Sequence, residues 1–501
     1  MPIPTLALAL CAPLFAVLTP RPILSAPPAG AEQAQTVSET PRPNVVLILA
    51  DDLGWGDIGA YGTGSRIPTP HLDQLASEGL RLTDAHSPSA VCTPTRYGLL
   101  TGRYAWRTRL KQGVLIGDSP NLIDPERTTL PDLLLAAGYR TGGFGKWHLG
   151  LGWAKEADFS GDLNPAPIDH GFEHFFGIPA SLDFEPYVYL LGRRAVQPPT
   201  EQVTSSKHRR QNGGGFWRSG RSSPDFRHQE VLPRLGERTA EWIERVHRET
   251  PDQPFFAYLA LSSPHTPWMP GPAFEGTTDV GYYGDFVAHT DAVVGHVLAR
   301  LEQLDLTDDT LVIFTSDNGS HWPTGDTEKY GHAANGPWRG QKADIHEGGH
   351  RVPFLVRWPG HVPANAERDG LLLLTDVMRT LAGLLELEVP AAQAPDSIDQ
   401  WAWLSHAPGA TATEPRTAGV LHSLDGMFAY REGPWKLIEG RGSGGFTGPK
   451  RVEPAEGEPE GQLYHLERDP GETENLWLSE PERVHAMLAE LNAVRERRAD
   501  R

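Results

Sequence analysis

The sequence contains very little cysteine. Cys11 and Cys92 are the only two cysteines among 501 residues. Cys11 lies in an N-terminal apolar stretch that is expected to be removed, which would leave Cys92 without a partner for a disulfide bond. An odd cysteine of this kind calls for an explanation. Cys92 is therefore the first candidate for a chemical role.

Basic residues are also scarce relative to acidic ones. The chain has 45 Lys and Arg against 64 Asp and Glu, which gives a formal net charge of −19. An acidic balance disfavours broad binding to a polyanionic nucleic acid. We therefore expect no nucleic-acid partner.

Long apolar runs are absent beyond the N-terminus. Residues 6–18 form an apolar stretch that is too short to span a bilayer comfortably and is typical of the core of a signal peptide. We predict a signal peptide at 1–26, a linker rich in Ala, Pro, Gln, Ser and Thr at 27–42, and a protein exported to the periplasm or the medium. No stable insertion into a membrane is expected.

Alternating strand and helix patterns predict an α/β fold. Continuous apolar runs at 44–50, 255–261, 310–315 and 351–358 indicate strands buried on both faces, and a shorter strand is predicted at 141–144. With amphipathic helices between them, these strands predict a large, mostly parallel mixed sheet sandwiched by helices. Short strands and a final helix after about residue 390 predict a smaller antiparallel sheet. The predicted domains are thus 43–390 and 391–501.

Polar side chains follow several of these strands at the point where each strand ends. Asp51 and Asp52, His265, and Asp317 with Asn318 come directly after buried strands; Lys146 and His148 follow the short one. Ligands bind at the carboxyl edge of open α/β sheets. Carboxylate and amide oxygens suit calcium or magnesium, whereas zinc prefers His or thiolate. The alternative for Asp51 and Asp52 is a turn with exposed acids.

Cys92 stands at the predicted start of a helix, beside Pro94 and Arg96. Proline favours the first helical turn, and the free amides of that turn attract anions. A thiol, a guanidinium and a helix N-terminus therefore meet at one point, which suits a tetrahedral oxyanion. Burial of Cys92 as a small hydrophobic residue is the alternative. A thiolate nucleophile is disfavoured, because cysteine phosphatases have a longer loop between the thiol and the arginine.

The stretch Cys92-Thr93-Pro94-Thr95-Arg96, with Thr101-Gly102, resembles the signature of the type I sulfatases, of the arylsulfatase A and N-acetylgalactosamine-6-sulfatase type, in the alkaline phosphatase superfamily. The segment 138–148 resembles the second sulfatase signature. The resemblance implies an alkaline-phosphatase-like fold and oxidation of Cys92 to Cα-formylglycine by a separate formylglycine-generating enzyme. It also implies one calcium ion held by Asp51, Asp52, Asp317 and Asn318, with the modified Cys92 completing the site.

The resemblance assigns further roles residue by residue. Lys146 and Lys342 would bind the sulfate, and His148 would orient the hydrate of formylglycine. His265 would bind the substrate near the leaving group, where it would donate a proton or hold the ester oxygen. The catalytic set that it implies is Cys92, Arg96, Lys146, His148, His265 and Lys342. The sequence departs from the family pattern at Asp344-Ile345-His346, which stands before Glu347 where other residues are commoner.

These observations predict a hydrolase that cleaves a sulfate monoester of a small molecule or an oligosaccharide. A phosphonate or phosphate ester hydrolase of the same superfamily and a non-catalytic binder of sulfated glycans are the alternatives. Residues around 205–227 are rich in arginine and are expected to form either a solvated loop or a basic lip that attracts anions. Candidate pocket residues, chosen by their position in the chain, are Ser181, Asp183, Tyr187, Trp268, His332, Asn335 and Trp338.

Overall fold

The computed structural model describes residues 42–62, 64–207, 216–405 and 415–497. The predicted signal peptide, and the predicted linker except for its last residue, lie outside the described residues. Within the described ranges, no helix is both long and apolar enough to cross a bilayer.

The strands of the described residues are numbered in chain order. They are β1 Asn44–Asp51, β2 Leu80–Leu82, β3 Ala85–His86, β4 Arg140–Lys146, β5 His174–Ile178, β6 Leu190–Leu191, β7 Arg194–Ala195, β8 Glu201–Val203, β9 Ser206–Lys207, β10 Phe216–Trp217, β11 Gly220–Ser222, β12 Phe255–Pro264, β13 Thr310–Ser316, β14 Phe354–Arg357, β15 Ala366–Arg368, β16 Leu372–Leu373, β17 Ala418–His422, β18 Phe428–Glu432, β19 Trp435–Ile438 and β20 Gln462–His465.

The α-helices of the same residues are numbered likewise. They are α1 Pro70–Ser77, α2 Cys92–Thr101, α3 Leu130–Ala136, α4 His228–Glu249, α5 Gly281–Gln303, α6 Thr324–Tyr330, α7 Glu347–His350, α8 Val377–Leu384, α9 Trp401–Ser405 and α10 Pro481–Glu496.

A ten-stranded mixed sheet organises the fold, in the order β15-β2-β14-β13-β1-β12-β4-β5-β6-β7. The five strands from β13 to β5 run parallel to one another, and β14 is antiparallel to β13. The predicted α/β fold with a mostly parallel sheet is therefore confirmed. The strand predicted at 351–358 exists but is shorter, at Phe354–Arg357.

Strand β1 shows why an unbroken apolar run belongs at the centre of the sheet. Successive side chains of a strand point to opposite faces. Val45 and Leu47 accordingly pack in one core cluster, together with residues of α2, α3 and α8. Val46 and Ile48 pack in the other cluster, with residues of α1, α4 and α5. Helices thus cover both faces of the sheet.

A four-stranded antiparallel sheet, β17-β18-β19-β20, follows with helix α10. This arrangement confirms the predicted smaller sheet with one helix. Its core cluster also includes Tyr104, Trp106, Ile345 and Leu371 from earlier parts of the chain. The predicted boundary at residue 390 stays a prediction.

A buried charge network links β19 to helix α7. The Lys436 ammonium lies 3.0 Å from a carboxylate oxygen of Glu347 and 3.1 Å from one of Glu472, and all three side chains are fully buried. Glu347 also contacts His86 at 2.8 Å. Burial would raise the pKa of Glu347, but the charges of Lys436, His86 and Arg351 hold it well below its ordinary value. The ionised state of Glu347 in this buried network therefore depends on the cations around it.

Replacement of Lys436 by methionine is expected to destabilise the fold, because Glu347 and Glu472 would remain buried without the cation they share. Removal of one partner from a buried ion pair costs roughly 3–5 kcal/mol. Urea unfolding followed by tryptophan fluorescence measures the loss. Glu241→Gln, which breaks an exposed pair with Arg238, is the control and should change the free energy of unfolding by less than about 1 kcal/mol. Equal effects of the two substitutions would contradict the network's role.

Candidate active site

The carboxyl ends of the central strands bring the predicted polar residues to one edge of the sheet. Asp51 is the last residue of β1, Lys146 the last residue of β4, and Asp317 follows β13 directly. The backbone N–H of Asp52 donates to Asp317 Oδ1 at 3.2 Å, although the two residues are 265 positions apart. The juxtaposition predicted from the strand ends is present in the structure.

Cys92 lies at the centre of this edge. It is the first residue of α2, and Gly102, with φ of +60°, caps the helix after Thr101. The thiol is buried, with Sγ 3.6 Å from both Asp51 Oδ1 and Lys342 Nζ. Burial, followed by the charge of Asp317, raises the pKa of Cys92 to about 12. An unmodified Cys92 would therefore stay a thiol at neutral pH, which makes it a poor nucleophile.

Two buried cations lie beneath Cys92. Arg96 contacts Asp317 Oδ2 through Nε at 2.9 Å and through Nη2 at 2.8 Å. The Lys146 ammonium lies 2.8 Å from both carboxylate oxygens of Asp51. Burial would raise the pKa of Asp51, but Lys146 above all holds it well below its ordinary value.

A third cation, Lys342, contacts Cys92 directly. Its ammonium lies 2.7 Å from Asp52 Oδ1. Burial would lower the pKa of Lys342, but the charge of Asp52 raises it above the ordinary value. Lys342 is therefore a permanent cation in contact with both Asp52 and Cys92.

The cluster fits a hard divalent cation. Asp51, Asp52, Cys92 and His265 each offer one ligand atom, and these atoms lie within 4.8 Å of one another. The Asn318 amide donates to Asp52 Oδ1 at 2.7 Å, while its own buried oxygen accepts no hydrogen bond from the described residues. A buried acceptor without a donor is a site where a cation can bind. The oxygens of Asp51, Asp52 and Asn318 are ligands that calcium and magnesium prefer, whereas the Cys92 thiol and the His265 imidazole are softer donors.

His148 has a defined tautomer. Its Nε2 lies 2.7 Å from the carbonyl oxygen of Leu115, which can only accept a hydrogen bond, so Nε2 carries the proton. Nδ1 is thus an acceptor, and within the described chain it has no partner. Burial, then Lys146 and Arg96, holds the pKa of His148 well below its ordinary value. A neutral imidazole with a free acceptor nitrogen can take a proton from a neighbouring hydroxyl.

His265 lines the pocket above Cys92. Its Nε2 is 3.7 Å from Asp52 Oδ2, and its Nδ1 faces the carbonyl oxygen of Thr266. This position allows the imidazole to reach a group bound above Cys92. The structure therefore brings together every catalytic and metal-site residue that the sequence predicted, while their roles remain to be tested.

A pocket of about 220 Å³ opens above Cys92. Of the seven predicted pocket residues, only Ser181 and Asp183 line it. The prediction was wrong for the other five, which are Tyr187, Trp268, His332, Asn335 and Trp338. Each of these supports its surroundings: His332, for example, lies 2.8 Å from Asp57, and Trp338 stacks under Arg351.

Part of the pocket lining was not predicted from the sequence. Phe184, Leu424 and Phe446 lie on the walls, and Arg218 was placed only within a diffuse basic lip. No local pattern marks these loop residues. The described part of that lip is partly neutralised, because Arg218 pairs with Asp183 and Arg221 pairs with Asp118 and Glu185. Residues 208–215 lie outside the described residues.

The parallel sheet and the charged pocket at its carboxyl edge define an enzyme site for an anionic substrate. The chain belongs to the sulfatase family, because the family model described as Sulfatase matches residues 43–387.

Curated relatives support the same family assignment. An N-acetylgalactosamine-6-O-sulfatase of Bacteroides thetaiotaomicron is 34% identical over 492 residues, covering 91% of this chain and 94% of the relative. Human arylsulfatase A is 34% identical over 478 residues, covering 91% of this chain and 86% of the relative. The chain is therefore a sulfatase, a hydrolase of sulfuric esters.

A solved structure gives the same result for the fold. It comes from work on the metabolism of multiple glycosaminoglycans by Bacteroides thetaiotaomicron, and it shares 32% sequence identity with this chain. It superimposes with a TM-score of 0.81 over 91% of this chain and 100% of that structure.

Gly145 is expected to be indispensable for the position of Lys146. It has φ of +109°, and a Cβ there would lie 1.8 Å from the carbonyl oxygen of Ala260 on the neighbouring strand. Gly145→Ala should lower the free energy of unfolding by roughly 2–5 kcal/mol, through overpacking and backbone strain, and should reduce sulfatase activity. Gly161→Ala is the control, because a Cβ at Gly161 meets open space. Urea unfolding and an activity assay of both variants check the prediction. Equal losses of stability and activity in Gly145→Ala and Gly161→Ala would contradict it.

Proposed function

We propose that this sulfatase hydrolyses sulfate monoesters, with a preference for sulfated carbohydrates, through a formylglycine formed from Cys92. The observation that carries the proposal is the position of Cys92. It lies at the N-terminus of α2, at the base of the pocket, with Lys342 in contact and Arg96 and Lys146 close by. The match of this stretch to the sulfatase signature supports the modification.

The residues around Cys92 supply the electrostatics of the reaction. A hydrated formylglycine at this position would supply a hydroxyl that attacks sulfur while the bond from sulfur to the alcohol oxygen breaks. Loss of the proton from its second hydroxyl would then let the sulfated hydrate collapse to the aldehyde and release sulfate, and water would restore the hydrate. Arg96, Lys146 and Lys342 are held in place by their carboxylate partners and can stabilise the negative charge of the transition state without moving. The site thus suits transfer of a sulfuryl group.

The two histidines have complementary roles in this proposal. Nδ1 of His148 accepts a proton on the side of residue 92, because its other nitrogen is committed to the Leu115 carbonyl. His265 lines the same pocket and can donate a proton to the oxygen of the departing alcohol. Together the two histidines would supply an acceptor for the hydrate and a donor for the leaving alcohol.

One calcium ion completes the proposed site, held by Asp51, Asp52, Asp317, Asn318 and the modified residue 92. When bound, it supplies Lewis-acid stabilisation of the sulfate oxygens. The free amide oxygen of Asn318 and the oxygen-rich set around it support this assignment.

Maturation and export belong to the same proposal. A formylglycine-generating enzyme would act on Cys92, which is buried in the fold, before folding is complete. The apolar segment at 6–18 would direct export to the periplasm or the medium. The relative named as an N-acetylgalactosamine-6-O-sulfatase supports a sulfated sugar as the substrate.

Cys92→Ala is expected to fold normally and to lose turnover of an aryl sulfate and of sulfated sugars. Paired assays with the corresponding aryl phosphate test the phosphate-ester alternative. Mass spectrometry of the tryptic peptide covering residues 82–96 should show the aldehyde or its hydrate in active wild-type enzyme. Full activity in Cys92→Ala, or an unmodified thiol in fully active enzyme, would end the proposal.

Calcium is expected to raise the melting temperature of the chelator-treated enzyme, because a ligand that binds only the folded state stabilises it. Asn318→Ala should raise the calcium concentration needed for half of this effect by at least roughly tenfold. Asn335→Ala is the matched control: it is also a buried amide, but both its side-chain atoms are committed to Ser320. The calcium site would be refuted if calcium did not raise the melting temperature of the wild type. It would also be refuted if Asn318→Ala and Asn335→Ala needed the same calcium concentration for half of the effect.

A further inference from the structure

One wall of the pocket carries polar groups that lack partners. Asp183 is 6% exposed, and its Oδ1 accepts no hydrogen bond from the described residues. The hydroxyl of Ser181, which is 2% exposed and lines the same wall, also has no well-formed hydrogen bond there. Buried polar atoms without partners are rare in folded proteins and need an explanation.

The other half of the Asp183 carboxylate is firmly held. Arg218 Nη1 donates to Asp183 Oδ2 at 2.6 Å and to the Asp183 carbonyl oxygen at 3.1 Å. The Arg218 guanidinium also lies 4.3 Å above the ring of Phe184, and Tyr187 donates to the Arg218 carbonyl at 2.7 Å. With Oδ2 committed to Arg218, the carboxylate is fixed and Oδ1 remains the free acceptor.

Neighbouring groups do not satisfy Oδ1. His265 Nδ1 is 4.0 Å away, beyond hydrogen-bond distance, and it already faces the Thr266 carbonyl. Burial would raise the pKa of Asp183, but His265, Arg218 and a loose hydrogen bond from the Ser181 hydroxyl lower it, so the group is a carboxylate at neutral pH. A fixed, ionised acceptor without a well-formed hydrogen bond thus lies buried in the wall of the pocket.

An acceptor of this kind distinguishes between substrates. A site built to bind a hydroxyl or N–H group rejects analogues that lack it, because its buried polar atom is then left unpaired. The pocket, at about 220 Å³, is smaller than sites for drug-sized ligands, which measure roughly 300–1,000 Å³. Asp183 therefore faces the part of the substrate that lies next to the sulfate.

Building on the proposed function, we infer that Asp183 is a specificity-determining residue. Its Oδ1 accepts a hydrogen bond from a hydroxyl or amide N–H group of the sugar, near the sulfated carbon, and Ser181 contacts the same group. Arg218 acts as a positioning residue that orients the Asp183 carboxylate. The enzyme accordingly favours sulfated sugars over aryl sulfates without such a donor.

The test compares kcat/KM of wild type and Asp183→Ala on two substrates. One is para-nitrophenyl sulfate, which has no donor beside the sulfate; the other is the best substrate from a panel of O-sulfated hexoses and N-acetylhexosamines. The loss on the sugar should exceed the loss on the aryl sulfate by about 100-fold. Deoxy analogues of the sugar should be poor substrates for the wild type and should lose this disadvantage in Asp183→Ala.

Asp118→Ala is the matched control. It breaks the Asp118–Arg221 pair, which lies in the same region but outside the pocket, and should leave the ratio of the two kcat/KM values unchanged. Thermal melts confirm that both variants fold.

Three results would overturn the inference. Equal losses on both substrates would show that Asp183 acts through His265 or through the fold, and no loss on either would show that it does not contact substrate. A wild type that cleaves the aryl sulfate but none of the sugars would also refute it while leaving the sulfatase activity intact. If neither substrate is cleaved, the proposed function itself fails.

Discussion

Six charged side chains are buried against one another at the carboxyl edge of the sheet, and the rest of the site depends on their mutual neutralisation. A single ion moved out of water into a protein costs several kcal/mol even after relaxation. Here each acid has a cation at 2.7–2.9 Å, in the pairs Asp51–Lys146, Asp52–Lys342 and Asp317–Arg96. Because each group fixes its partner, the cations are already oriented when an anion arrives. In the proposed function, the electrostatic stabilisation of the transition state is thus built into the folded protein.

The sheet topology explains how such distant residues can meet. Parallel strands deliver their carboxyl ends to one edge, and Lys342 reaches Asp52 across 290 positions. Adjacent residues of a regular strand would point to opposite faces. At the end of β1, however, the register with β12 shifts and Asp52 adopts φ of +65°, which lets Asp51 and Asp52 both face the site. Backbone strain of this kind, at a residue other than glycine, is typical of functional sites.

The accuracy of sequence-based prediction differs between the sheet and its loops for physical reasons. The central strands were predictable because burial on both faces demands an unbroken apolar run, as in β1. The charged edge was predictable because strand ends fix where Asp51, Asp317 and His265 emerge. The pocket walls were not, since nothing local determines which way a loop side chain faces. Trp338 shows the error: it lies near Lys342 in sequence, but it stacks under Arg351 at 3.9 Å and does not line the pocket.

The base and the walls of the pocket therefore come from different parts of the fold. The charged base is built from strand ends and helix α2, where any shift would leave a charge unpaired. The walls come from loops, including the segment that carries Phe446, which Asp344 holds through the backbone N–H of Thr447 at 3.0 Å. Asp344 belongs to the stretch in which this sequence departs from the family pattern. Loops tolerate change better than the elements they connect. In the proposed function, substrate preference can thus vary through wall residues such as Asp183, while the buried charges proposed to bind the sulfate stay fixed.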